Sequence, residues 1–493
     1  MFEAFAVESI RAAERAAMDV VGDDALMRRA AAALAGVIAG ELRDRRPDGV
    51  AGARVVLLIG PGNNGGDALF AGAQLARDGA TVTAWRAGDA VHEAGWAKLI
   101  ADGGGELAGD VAAVAGAVQA SDLVVDGLLG IGGKPGLRGV MADLARAIGP
   151  APRALIVAVD LPSGIAVEAP FAALTGNDAV PHLAADLTVT FGGAKPCHVL
   201  EPGRSACGRL VRIDIGLPPM SPALRCWEPA DVAAVWPLPN AASDKYSRGV
   251  VGLDVGSARY PGAAVLATLG ALSSGAGFIR YRGAVEARPV LLARAPSITF
   301  GDGPVQAWVL GCGWDDTEFG PARLAARLAD GVPCVLDAGT LPLLADLTEP
   351  LPHDCLLTPH AGELARLLGV PRATVVADPV AHARGAADRF GAAVLLKGAT
   401  QVVATPGDDA ADVAVPGPAW TAQAGSGDVL AGIAGTLLAA GLPARNAGVA
   451  AASVQALAAA RHPGPYPPDA LATRLPRVIA RLAGGAGLLS TRR

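Results

Sequence analysis

Hydrophobic positions along the chain change period in a repeating way. Over residues 5–40 apolar residues recur at helical spacing in an alanine-rich frame, with Arg11, Glu14, Arg15 and Arg28 on the other faces, which predicts helix. The run 54–59 (RVVLLI) breaks that period: it is short, aliphatic and stops at a glycine, as a buried strand does. Similar runs recur at 80–85, 121–126, 154–160, 186–191 and 208–215, several of them separated by alanine-rich stretches of helical length. Between Gly216 and Tyr246 no period is sustained, and Pro218, Pro219, Pro222, Pro229, Pro237 and Pro239 crowd the segment, which reads as a connection. Strand-like runs resume at 250–255, 278–281, 307–310, 334–337, 355–357 and 393–396, and a long helix is predicted from Asp428. Alternating strands and helices predict mostly parallel sheets covered on both faces. The expected chain is therefore α/β with two domains, 1–220 and 241–493, joined by a proline-rich linker over 221–240.

Composition narrows the class. Of 493 residues 52% are apolar but only 4% aromatic, so alanine and glycine supply much of the apolar count. The run Val429 to Ala444 is dotted with glycines and reads as a buried helix, since a membrane span needs about 18 uninterrupted apolar residues. The N-terminus, with Glu3, Glu8, Arg11 and Glu14 spread through it, lacks the order of a secretory signal, and a cytoplasmic protein with no membrane partner is expected. A net charge of -6 argues against a nucleic-acid partner, for which a basic face is needed. The six cysteines (Cys197, Cys207, Cys226, Cys312, Cys334, Cys355) form no Cys-x-x-Cys, which argues against zinc and for reduced thiols. There are only five lysines, Lys98, Lys134, Lys195, Lys245 and Lys397, so a lysine inside a motif stands out.

The first candidate site begins where RVVLLI runs into Gly60-Pro61-Gly62-Asn63-Asn64-Gly65-Gly66-Asp67, with a helix expected to open near Ala68. Such a loop lets backbone amides approach a phosphate; it also reads as a tight turn with Asn and Asp as cap residues. Asp126 ends a second strand before a loop spanning Gly130 to Gly136, and Asp160 ends a third before Leu161-Pro162-Ser163-Gly164. Carboxyl ends of parallel strands face the ligand crevice, so Asn64, Asp126, Asp160 and Ser163 are expected to share one pocket. The second candidate is Gly425-Ser426-Gly427-Asp428 at the start of an apolar helix, where Asp428 is either a cap or a general base beside an anion-binding turn. Its companions are Lys397-Gly398-Ala399-Thr400-Gln401 after strand AVLL, Thr358-Pro359-His360-Ala361-Gly362-Glu363 after DCLL, the turn Gly311-Cys312-Gly313-Trp314, and Gly262-Ala263-Ala264 at a helix start.

On these strings the chain resembles two families. GPGNNGGDALF, VVDGLLGIGGKPGLRG, VDLPSG and TFGGAKP resemble the NAD(P)H-hydrate epimerase domain, with a Rossmann-like three-layer sandwich. KYSRGVVGLDVGS, YPGAAVLATLGALSSGAG, VLGCGW, LLTPHAGELARLLG, VLLKGAT and AGSGDVLAGI resemble the ADP- or ATP-dependent NAD(P)H-hydrate dehydratase, which is ribokinase-like. The first resemblance implies that Asn63, Asn64, Gly65, Gly66, Asp67 and the loop Gly130, Ile131, Gly132, Gly133, Lys134, Pro135 and Gly136 hold the hydrated dinucleotide. It also implies that Asn64, Asp126 and Ser163 ligate potassium and that Asp160 meets the reacting ring and transfers the proton. The second implies that Ala263, Gly313, His360 and Asp428 contact the hydrate, with Asp428 as base. Lys397, Gly398, Ala399, Thr400, Gln401 and Gly427 would contact ADP or ATP, with magnesium on its phosphates. Departures from the usual pattern stand at Ala68, Cys197, Gly339-Thr340, Ala422-Gln423-Ala424 and Arg461-His462-Pro463-Gly464. The expected partners are small molecules and further copies of the chain in a homo-oligomer. Two other functions stay open on the residues alone: a ribokinase-like small-molecule kinase, and an N-terminal domain that serves only as a scaffold.

Overall fold

The computed structural model describes residues 1–150, 152–315, 320–345, 349–352, 354–461 and 463–484. The chain divides into two compact units, Glu3–Ala223 and Leu224–Arg493 with Met1–Phe2.

Among the described residues of the N-terminal unit, seven strands form one sheet. From edge to edge they are Gly105–Glu106, Thr81–Arg86, Arg54–Ile59, Leu123–Gly127, Leu155–Val159, Leu187–Phe191 and Arg209–Ile213, all parallel. Alternate residues of Arg54–Ile59 serve opposite faces. Val55, Leu57 and Ile59 pack with helices Asp23–Arg45 and Asn63–Arg77, whereas Val56 and Leu58 pack with Val111–Ala120 and Gly139–Ile148. This is why the strand lacks a polar face. Each Val or Leu so buried contributes roughly 1.5–3 kcal/mol. Strand order reverses between Arg54–Ile59 and Leu123–Gly127, which places a crevice at their carboxyl ends.

The C-terminal unit has strands in the order Leu224–Cys226, Ala411–Val413, Val402–Ala404, Ala393–Leu396, Leu356–Leu357, Cys334–Leu336, Ala307–Leu310, Val250–Asp254, Phe278–Tyr281 and Thr299–Phe300. Val402–Ala404 is antiparallel to both of its neighbours, and the rest pair in parallel. Helices Pro261–Ser274, Ser426–Ala439 and Ala444–Ala460 form one large core cluster with the sheet. The run beginning at Val429 is a buried helix, as its glycines and apolar residues imply. All six cysteines are buried. Among the described residues, no helix is long and apolar enough to cross a membrane.

Three readings of the pattern differ from the fold. The predicted helix over 5–40 is two helices, Val7–Val21 and Asp23–Arg45, broken at Gly22 with φ 85°. The segment 221–240 carries a strand, Leu224–Cys226, and a helix, Pro229–Val235, both in the C-terminal unit. Its prolines stand at element starts and in loops, where a missing N–H costs nothing. The strands at 105–106, 299–300, 402–404 and 411–413 are two or three residues long, too short to show a period.

Candidate active sites

The helix after the first glycine loop opens at Asn63, not near Ala68. A Cβ on Gly65 would lie 2.3 Å from the Gly60 carbonyl oxygen, so close packing explains the glycines there, and they form the first helical turn. The N–H groups of Asn63, Asn64 and Gly65 therefore have no intrahelical acceptor and favour an anion. Asn64 donates its amide to the Val159 carbonyl. Its Oδ1 faces the opposite loop, where a Cβ on Gly130 would lie 2.3 Å from it.

Asp126 is fully buried at the end of its strand. Its Oδ1 accepts from Ser163 Oγ at 2.6 Å and its Oδ2 from the Ser163 N–H at 2.8 Å. The Leu129 N–H donates to the same Ser163 hydroxyl at 2.9 Å. Burial pushes the Asp126 carboxyl up to about 6, and only the neutral donors of Ser163 and Leu128 pull it back. A buried carboxylate bonded to a hydroxyl, with no cationic side chain among the causes of its shift, is a donor set that suits a hard monovalent cation.

Asp160 follows the next strand with φ 68°, a left-handed conformation that costs a non-glycine residue about 1–2 kcal/mol. Burial alone raises its carboxyl, but the charge and hydrogen bond of Lys195 outweigh that and hold it below the usual range. Lys195 is buried at 1% exposure; its Nζ pairs with Asp160 Oδ1 and donates to Thr190 Oγ1 at 2.9 Å and to the Phe191 carbonyl at 3.3 Å. Thr190 Oγ1 donates to the same Asp160 oxygen at 2.9 Å. His198 Nδ1 accepts the Lys195 N–H at 2.9 Å, so its Nε2 is left to donate to the Asp160 carbonyl, also at 2.9 Å. Asp67 is buried with Oδ1 unpaired, and burial, then Asp160 and Glu14, push its carboxyl well above normal. Burial raises Glu14 as well, with Asp160 adding to the effect and Lys195 opposing it.

The loop from Gly130 to Gly136 is held from two sides. Arg11 donates to the Ile131 carbonyl at 3.2 Å, and the Gly136 N–H donates to the Gly164 carbonyl at 2.8 Å. Gly132, Lys134 and Pro135 are exposed.

In the C-terminal unit, Asp428 lies in the first turn of Ser426–Ala439, with Gly425 as its left-handed cap. Its carboxyl is pushed up to about 7, first by burial and then by Asp337, while Lys397 opposes the shift. Lys397 Nζ donates to Asp337 Oδ1 at 2.6 Å and lies 4.0 Å from Glu363 Oε2. Burial alone lowers its ammonium, but Asp337 and Glu363 more than offset that and raise it. Thr358 donates to the same Asp337 oxygen at 2.8 Å, and Cys312 Sγ lies 3.4 Å from the other. Cys312, Asp337 and Asp428 offer ligand atoms within 4.8 Å of one another. They suit proton handling better than a resident metal: Asp337 is paired with Lys397, and burial, then Asp337, keep the Cys312 thiol protonated.

His360 is exposed. Its Nδ1 accepts the Gly362 and Glu363 N–H groups at 3.0 and 3.1 Å while its backbone N–H donates to Glu363 Oε2 at 2.8 Å, so it caps helix Ala361–Leu368. It pairs with Lys397 in an isolated parallel bridge, which sets the two motifs side by side. A Cβ on Gly427 would lie 3.2 Å from Lys397 Nζ, and Gln401 Oε1 is buried without a partner. Gly313 packs on Ala263, across the turn Gly311–Trp314. His462 lies outside the described residues.

Comparison with known proteins agrees with this division. The family described as NAD(P)H-hydrate dehydratase matches residues 251–481, and the YjeF-related protein N-terminus matches 23–197. A bifunctional NAD(P)H-hydrate repair enzyme of Mycobacterium tuberculosis is 43% identical over 90% of this chain and 90% of its own. The chain belongs to the bifunctional NAD(P)H-hydrate repair enzymes. A member from Mycobacterium leprae is 41% identical over 97% of this chain and 98% of its own. An NAD(P)H-hydrate epimerase of Clavibacter michiganensis is 40% identical over 44% of this chain and 91% of its own. A solved ADP/ATP-dependent NAD(P)H-hydrate dehydratase from Bacillus subtilis, co-crystallised with ATP/Mg2+, is 28% identical, with a TM-score of 0.49 over 52% of this chain and 98% of that one.

Sequence reasoning left out His198 and Glu14 in the first site and Asp337 in the second; it quoted Thr190 and Lys195 within TFGGAKP, and Cys312 and Thr358 within companion strings, without giving them a role. The scarcity of lysine was the available signal for Lys195, and position at a strand end was the signal for Asp337. Nothing in the sequence marks Glu14, which the fold brings in from a surface-type helix.

Proposed function

We propose that the N-terminal unit epimerises R and S hydrates of NADH and NADPH and that the C-terminal unit dehydrates the S epimer to the intact cofactor, using ADP or ATP. The observation that carries this reading is a lysine–aspartate pair at the strand carboxyl ends of each unit, Lys195–Asp160 buried and Lys397–Asp337 partly buried.

In the first site, the amides of Asn63 to Gly65 and the loop Gly130–Gly136 hold the dinucleotide phosphates and place the hydrated ring over Asp160. Asn64, Asp126 and Ser163 would hold potassium, which supplies fixed positive charge to the pocket. Epimerisation breaks the C–O bond of the ring carbon and leaves a cationic ring, to which water returns on the other face. The Asp160 carboxylate, held ionised by Lys195, stabilises that cation. The proton that departs with the hydroxide and returns with water is carried by the Asp160–Lys195 pair.

In the second site, Asp428 removes the proton from the hydrate's hydroxyl as its oxygen attacks the terminal phosphoryl group and the donor P–O bond breaks. Ala263, Gly313 and His360 border the hydrate. Lys397 to Gln401 and Gly427 line the nucleotide, with Lys397 countering charge on its phosphates. Magnesium bound with the phosphates would add to that neutralisation. The ring nitrogen lone pair then expels phosphate, and loss of a proton from the neighbouring carbon restores the double bond. The substrates are small molecules handled in the cytoplasm by a homo-oligomer.

The test is recovery of reduced-nicotinamide absorbance from a mixture of both NADPH-hydrate epimers with potassium, magnesium and ADP or ATP. Complete recovery with one nucleotide is expected, after subtraction of spontaneous epimerisation. Release of a stable phosphorylated hydrate would mean a kinase, and recovery that stops at the S fraction would mean a silent N-terminal unit.

A further inference from the structure

Strand Val250–Asp254 lies between Phe278–Tyr281 and Ala307–Leu310, so the order of the parallel sheet reverses on it and a crevice opens at its carboxyl end. The residue there, Asp254, has no exposure at all. Its Oδ2 accepts from Arg327 Nε at 2.8 Å and its Oδ1 accepts from Arg323. These arginines are four residues apart on helix Gly320–Leu328 and project from one face. The Asp254 carbonyl accepts the Trp314 indole N–H at 2.8 Å and the Gly311 N–H at 3.4 Å. Arg323 lies 4.3 Å from the centre of the Trp314 ring, and the Cys312 carbonyl accepts the Gly256 N–H at 2.7 Å.

One residue thus grips the turn Gly311–Trp314 with its backbone and the following helix with its side chain. The turn has no slack: Gly313 has φ 68°, and a Cβ there would lie 2.6 Å from Ala263 Cβ. A carboxylate taken fully out of water is expensive even when paired, and an apolar residue at such a strand end is often no less stable. Burial therefore does not account for an aspartate, whereas holding Arg323 against the Trp314 ring, and so the turn, does.

We infer that Asp254, with Arg323 and Arg327, is a positioning residue that fixes the Gly311–Trp314 turn as a wall of the hydrated-nicotinamide subsite. This rests on the reading of Gly313 as part of that subsite.

The test uses the full chain and measures dehydration against hydrate concentration, with ADP and ATP affinity measured separately by calorimetry. Three variants are compared: Asp254→Asn, Trp314→Phe, which leaves every charge paired, and Gly313→Ala. Asp254→Asn and Trp314→Phe are each expected to raise the KM for the hydrate about tenfold, with kcat changed less than about threefold, because a small displacement of a binding wall is costly to orientation. Nucleotide Kd and epimerisation stay unchanged. Hydrate KM left alone in both variants, or nucleotide Kd worsening in step with it, overturns the inference in favour of a purely structural role. If Asp254→Asn does not fold, Trp314→Phe decides. If Gly313→Ala spares the hydrate KM, the wall itself is misassigned and the inference falls with it. If Gly313→Ala alone raises that KM, only the positioning role falls.

Discussion

Asp428 and Asp160 are both carboxylates at the carboxyl edge of a parallel sheet, yet their surroundings push them in opposite directions. Asp428, raised to about 7 by burial and by Asp337, is half protonated near neutrality. A base must be unprotonated, so dehydration should rise about tenfold per pH unit below 7 and level off above it. Asp428→Asn should lower dehydration by about 10²–10⁴-fold and flatten that profile; a variant retaining the wild-type profile would remove Asp428 from the chemistry. Asp160 is held low by Lys195, so its charge persists across that range. Asparagine tolerates the left-handed backbone, but Asp160→Asn leaves the Lys195 ammonium buried without its counter-charge, so loss of epimerisation together with a fall in Tm is expected. Lys195→Met instead strands Asp160 in the interior and should cost about 3–5 kcal/mol in thermal unfolding, part of which Asp160→Asn recovers in the double variant. Equal Tm values for the single and double variants would show that the pair is not coupled.

Among the elements, the loop Gly130–Gly136 and helix Asn63–Arg77 meet through Gly130, where any Cβ would run into Asn64 Oδ1. Gly130→Ala should therefore displace Asn64, weaken the dependence of epimerisation on potassium and leave dehydration intact. An unchanged potassium titration would dissociate Asn64 from the cation. The resemblance marked both loops, but only the helix start at Asn63 shows that the NNGG amides are those of a first turn. Local pattern could not reveal this, because two glycines after two asparagines look like a loop until their packing against Gly60 is seen.

For the whole molecule, two units with separate machinery predict complementation through solution. Asp160→Asn chains alone should recover only the S fraction, and Asp428→Asn chains none. An equal mixture should recover both epimers, because the epimerised hydrate diffuses from one chain to the other. Recovery from the mixture no better than from Asp160→Asn alone would mean that the hydrate does not exchange between chains.

The sequence by itself determined where many of the strands lie, as at Phe278–Tyr281, Ala307–Leu310 and Ala393–Leu396, because period and β-branching act within a few residues. Its glycine turns and strand-end aspartates also marked both crevices. Only the tertiary structure decided the strand order, the pairing of Leu224–Cys226 with Ala411–Val413, and the partners of Asp160 and Asp337. Lys195 meets Asp160 across 35 positions and Lys397 meets Asp337 across 60. Such pairs are set by which charges are buried together. A buried charge is tolerated only where the fold supplies its partner, and no local pattern records that choice.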